Sequence, residues 1–96
     1  FSYYVNYTIS DYAIYQVVNH IIRAMPEMER VSRFRANNEP DGLYIDMDVI
    51  MVFGYNLIEA VRAAQKTIIE ELDRFAGFNV NRLNIYVKNL VLKKTR

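Results

Sequence analysis

Leu43-Tyr44-Ile45-Asp46-Met47-Asp48-Val49-Ile50-Met51-Val52-Phe53 is the stretch whose reading decides the fold. Its odd positions, Leu43, Ile45, Met47, Val49, Met51 and Phe53, form an unbroken apolar row, while Tyr44, Asp46 and Asp48 occupy the even positions. Side chains on a strand alternate between two faces, so this period predicts a long central strand with one buried face and one charged face. At Ile50 and Val52 the charged face turns apolar, and a surface of that kind asks to be covered.

Downstream, Gly54-Tyr55-Asn56 leads into a helix that Asn56 caps, with Glu59 three positions on in the manner of a capping box. Leu57, Ile58, Val61, Ala64, Ile68, Ile69, Leu72 and Phe75 share one arc of this helix. Lys66 to Glu70 and Glu70 to Arg74 are spaced to support the opposite side, and Gly77 ends it. A last strand alternates Leu83, Ile85 and Val87 with Arg82, Asn84, Tyr86 and Lys88, followed by a basic tail from Leu90 to Arg96.

Upstream, Asn37-Asn38-Glu39-Pro40-Asp41-Gly42 is a dense turn cluster. The basic, weakly periodic stretch Glu29 to Ala36 before it reads as a strand. A first helix starts at Ser10 as N-cap, carries Ala13, Ile14, Val17, Val18, Ile21, Ile22 and Met25 on one stripe, and stops at Pro26. Tyr3, Val5, Tyr7 and Ile9 alternate as a first strand. The predicted order is β-α-β-β-α-β, an α+β fold with two helices on one face of a mainly antiparallel sheet.

The 96 residues make one domain, 1–96, and a 52% apolar composition supplies its core without staples. The absence of cysteine excludes a thiol nucleophile, a zinc ribbon and a disulfide scaffold, and fits a reducing compartment. A net charge of +1 with interspersed signs gives no strong field for nucleic acid or anionic lipid. No apolar run reaches the roughly 20 residues that cross a bilayer, so a soluble domain is expected. A chain starting at Phe1 leaves room for an upstream anchor.

No set of residues reads as catalytic. His20 is the single histidine, the serines sit in no glycine elbow, and Gly54 stands alone without a phosphate-binding motif. Asp46 and Asp48 share a strand face and could hold a hard cation, but Arg33, Arg35, Arg82 and Lys88 on neighbouring strands favour cross-strand ion pairs. Neither a metal nor another cofactor is expected. Tyr44 and Tyr86 beside arginines sketch a base-stacking surface, which the two aspartates on the same face oppose.

From Gly42 to Leu92 the sequence resembles the alkaline shock protein family, the envelope stress response proteins of Gram-positive bacteria. The resemblance rests on the strand Leu43 to Ile50, the turn Phe53-Gly54-Tyr55-Asn56-Leu57, the long helix, and Gly77-Phe78-Asn79-Val80 before Leu83-Asn84-Ile85-Tyr86-Val87. It implies a non-enzymatic cytoplasmic protein, held near the membrane by a partner or an anchor and linked to envelope homeostasis. The expected interface combines surplus apolar residues, Ile50, Val52, Tyr86 and Leu90, with Arg82 and Lys88 as a charged rim. The partner implied is a second copy or a membrane-anchored relative. A small nucleic-acid-binding module using the outer sheet face is the alternative.

Overall fold

A computed structural model describes residues 9–95, in the order α1 (Asp11–Ala24), β1 (Met28–Glu39), β2 (Gly42–Val52), α2 (Leu57–Ala76) and β3 (Val80–Val91). The strand expected over Tyr3 to Ile9 lies outside the described residues except for Ile9, which precedes α1. The class is α+β, as the patterning predicts. β2 is central in the sheet order β1-β2-β3, antiparallel to β1 and parallel to β3. The parallel ladder follows from the connection, because a helix between two strands returns the chain to its starting end. Among the described residues the sheet is therefore mixed.

Leu43, Ile45, Met47, Val49 and Met51 are fully buried, so the odd face of β2 is the core. Both helices cover it. Ile14, Val18 and Ile22 of α1 and Ala60, Ala64, Ile68 and Leu72 of α2 are the residues that reach this core, each set at four-residue spacing. The buried face of α2 is narrower than the apolar arc: Ile58, Ile69 and Phe75 are exposed. The caps follow the sequence. The side chain of Ser10 accepts a hydrogen bond from the Ala13 amide at 3.1 Å, and that of Asn56 accepts one from the Glu59 amide at 3.1 Å. Gly77 closes α2 in the left-handed conformation, its N–H bonding the Asp73 carbonyl at 2.9 Å. Arg74 lies 4.7 Å from the Phe75 ring centroid.

β1 is longer than its sequence signal. It continues through Asn37, Asn38 and Glu39, which pair with Tyr44, Leu43 and Gly42, so the turn shrinks to Pro40 and Asp41. β1 also carries register shifts between Met28 and Arg30 and between Val31 and Arg33. Each inserts one residue, Glu29 and Ser32, and each reverses the parity of the residues after it. β3 has a similar shift, because Val87 pairs with Val49 while Asn89 pairs with Ile50, leaving Lys88 without a partner on β2. It also begins and ends beyond the predicted strand, and Leu90 belongs to it rather than to a tail.

Residues 92–95 leave β3 and cross the sheet end to reach β1 and α1. Lys94 Nζ donates to the carbonyls of Arg23 and Met25 at 2.8 and 2.7 Å, and Thr95 donates through its amide and hydroxyl to the Glu29 carboxylate. An ammonium at the carbonyl end of a helix satisfies orphan acceptors and the favourable end of the helix dipole.

Candidate interaction surface

The outer sheet face is built from the even positions of β2 and their partners. Arg33 donates from Nε to Asp48 Oδ2 at 3.1 Å, and Arg82 donates from Nη2 to Asp46 Oδ2 at 2.8 Å. Asn84 Nδ2 adds a bond to Asp46 Oδ1 at 2.9 Å. The cross-strand pairing predicted for this face is thus present for two of the four bases, and each carboxylate is already held by a different arginine. The Asn84 amide, followed by Arg82, holds the Asp46 carboxyl below the usual range, and Asp48 holds the Arg33 guanidinium above its own. Arg33, Arg35, Asp46, Arg82, Asn84 and Tyr86 line a shallow basin of about 370 Å³. The Arg82 guanidinium also lies 5.4 Å from the Tyr44 ring centroid.

The structure divides the six residues expected at an interface. Ile50 and Val52 retain only 9% and 6% of their exposure, so they are interior residues, not surplus surface. The chain from Val91 to Thr95 crosses the end of β2 that carries them, because it runs from one edge strand to the other. Arg82 is exposed but engaged with Asp46. Tyr86, Lys88 and Leu90 remain exposed on β3. They do not share one face. Tyr86 sits opposite Asp48 on the outer side, whereas the unpaired Lys88 brings Leu90 opposite the core residue Met51.

That bulge produces an exposed apolar row that alternation alone does not reveal. Val87 and Leu90 lie opposite Val49 and Met51, on the helix-covered face, yet remain 40% and 41% exposed on the edge strand. Ile58, Phe53 and Leu92 are also exposed, and Leu57, Ile58, Val61, Arg62, Gln65 and Val87 line a groove between α2 and β3. Gln65 Nε2 donates to the Leu83 carbonyl at 3.0 Å and ties the helix to the strand beside this groove. Phe53 and Ile58 are legible in the sequence as apolar residues, but their exposure depends on where α2 lands.

His20 lines a second groove, of about 820 Å³, between α1 and α2, with Val17, Ile21, Thr67, Glu71 and Phe75 among its walls. Glu71 is the carboxylate nearest in kind to a catalytic partner for His20, and no hydrogen bond or ion pair joins them among the described residues. The groove is apolar and open. Among the described residues no group of three or more acidic, histidine or cysteine side chains gathers as for a metal ion, and no helix is long and apolar enough to cross a membrane.

Fold and surface together define a two-layer α+β domain with a charge-paired outer sheet face and an apolar, basic strand edge. The chain belongs to the alkaline shock protein 23 family, described as having a cell envelope-related function, whose family model matches residues 16–92. The match reaches back into α1, beyond the Gly42–Leu92 stretch that carries the resemblance in sequence. No curated protein matches the chain. A solved structure that it resembles is a triple variant of MamM CTD, with 15% identity and a TM-score of 0.64 over 81% of this chain and 93% of that one. At that identity the likeness concerns the fold.

Proposed function

We propose that this is a non-enzymatic interaction domain in cell-envelope homeostasis or stress response, associating through the β3 edge with a second copy or with a membrane-anchored partner. The observation that carries the proposal is the exposed row of Val87 and Leu90 on an edge strand whose outer side pairs with no other strand among the described residues. Unpaired strand edges with apolar flanks are templates for another chain. The envelope-related family gives the setting, and a cytoplasmic domain brought to the membrane through its partner fits that setting.

Light scattering after size exclusion, together with recovery from envelope fractions, tests this reading. Wild-type protein is expected to form oligomers or to sediment with envelope material, and V87S/L90S to lose that property while keeping its fold. A strict monomer at high concentration that stays free of envelope fractions in both forms defeats it. Nucleic-acid binding is a second reading, supported by the arginine-lined basin beside Tyr86. Salt-dependent binding of single-stranded RNA, lost on replacing Arg33 and Arg35, would favour it.

A further inference from the structure

We infer that the β3 edge accepts an extended acidic segment of a different protein, which adds to the sheet as a fourth strand. This rests on the interaction reading above and says what kind of chain the edge recognises. Three features carry it.

β3 is a twelve-residue strand that pairs with β2 alone among the described residues, so its outer side offers a row of main-chain donors and acceptors. Of these, the Leu83 carbonyl and the Leu90 amide are engaged by the side chains of Gln65 and Asn89 and would have to exchange those bonds. Strand addition uses such a row for affinity and takes specificity from pockets that seat alternate side chains. Here the groove by Ile58, Val61 and Val87, together with exposed Leu90, provides apolar seats on one side of the edge. Tyr86 stands on the other.

Charge then chooses the occupant. After Asp73 the chain has no acidic residue, and Arg82, Lys88, Lys93 and Lys94 all belong to β3 or the tail that follows it. Arg62 adds another base beside the groove, and Glu59 is the one acid in the first half of α2. Arg82 and Lys94 are engaged, with Asp46 and with the end of α1, whereas Lys88 and Lys93 have no ion pair among the described residues. Antiparallel pairing of two β3 strands would gather these bases at one seam, and like charges on neighbouring strands oppose pairing. The bulge at Lys88 bends the edge for any added strand alike, so charge is what separates the two occupants. An apolar strand flanked by Asp or Glu avoids the repulsion and gains from the field.

The full chain can be challenged with a phage-displayed library of random twelve-residue peptides, followed by amide chemical-shift mapping of the strongest binder. Enrichment of alternating apolar residues with flanking acids, shifts along residues 80–93, and at least a tenfold loss of affinity in K88E/K93E are the expected results. V87S/L90S should weaken the same peptide while leaving the melting temperature within a few degrees. Peptides without acidic excess, shifts confined to the α1–α2 groove or the outer face, or no enrichment at all would overturn the inference. If peptides fail while the protein oligomerises through β3, the interaction reading survives and the acidic foreign strand does not. If the chain also stays monomeric and away from envelope fractions, both fall.

Discussion

Gly42 and Asn79 approach so closely that a Cβ on Gly42 would stand 2.5 Å from the Asn79 carbonyl oxygen. That carbonyl accepts the Leu43 amide at 2.8 Å, and the Asn81 and Asn79 side chains donate to the Asp41 carbonyl at 2.6 and 3.2 Å. The start of β3 is thereby fastened to the β1–β2 turn, which fixes the parallel register. The Tyr44 hydroxyl closes the turn by donating to Asp41 at 2.7 Å.

Gly42→Ala should therefore destabilise the fold by about 2–4 kcal/mol, combining a positive-φ penalty with a backbone clash. Gly54 separates the two causes. It has φ +111, and a methyl group added there would meet nothing within 4 Å, so Gly54→Ala should cost only about 1–2 kcal/mol. Urea unfolding of the two variants checks the difference, and equal losses would mean that the Asn79 contact contributes little.

Asp46 gives the outer face a defined response to acid. Its carboxyl titrates below the ordinary value of 3.8, chiefly because Asn84 and then Arg82 bond the ionised form. A depressed folded pKa means that the stabilisation is complete above the unfolded value and is lost as pH falls through the folded one. The urea midpoint of the wild type should fall as pH drops through and below the unfolded carboxyl range, and Asp46→Asn should show a shallower fall. At neutral pH the substitution should cost under about 1 kcal/mol, as exposed pairs do. Identical acid profiles for the two proteins would remove Asp46 from this account.

β2 is legible in the sequence from Leu43 to Val52 because the alternation of its core face has no interruption, whereas Phe53, read as the end of that apolar row, falls past the strand and is exposed. The helices are nearly as clear, since Ser10, Asn56 and Gly77 mark ends by local chemistry. β1 is obscure for a physical reason: Glu29 and Ser32 are extra residues, so its core-facing positions fall at Met28, Val31, the partly buried Phe34 and Ala36 instead of every second place. The same effect hides the exposed pair Val87 and Leu90. Parity places Leu90 on the outer face beside Ile50 and Val52, but Lys88 shifts the strand by one. Coverage of Ile50 and Val52 is a long-range property, and no local pattern near them records it.

Ile50 provides a direct test of that burial. It lies in the monomer's interior, so Ile50→Ala should lower stability by about 2–4 kcal/mol, in the range of buried isoleucine truncations. Association should change no more than the loss of folded protein accounts for. Leu90→Ala, at a position 41% exposed, should do the reverse: a loss under about 1.5 kcal/mol with a clear effect on association. Thermal unfolding measured beside light scattering for both variants decides which residue belongs to which role.

The tail should behave as a clasp on α1. Lys94 holds the Arg23 and Met25 carbonyls, and Thr95 bonds Glu29, whose carboxyl is kept below its usual value by the Thr95 hydroxyl and amide. Lys94→Met keeps the aliphatic stem and removes the ammonium, so it isolates the polar contacts. It should cost about 1 kcal/mol, and amide exchange should quicken in the last turn of α1 and around Glu29 while the centre of β2 stays protected. Because the ionised Glu29 carboxylate accepts the two Thr95 bonds more strongly than the protonated acid does, acidification below its folded pKa should reproduce part of the local loosening in the wild type. Uniform acceleration across all strands would mean that the tail supports global stability instead, and no acceleration would mean that the clasp is not closed in solution.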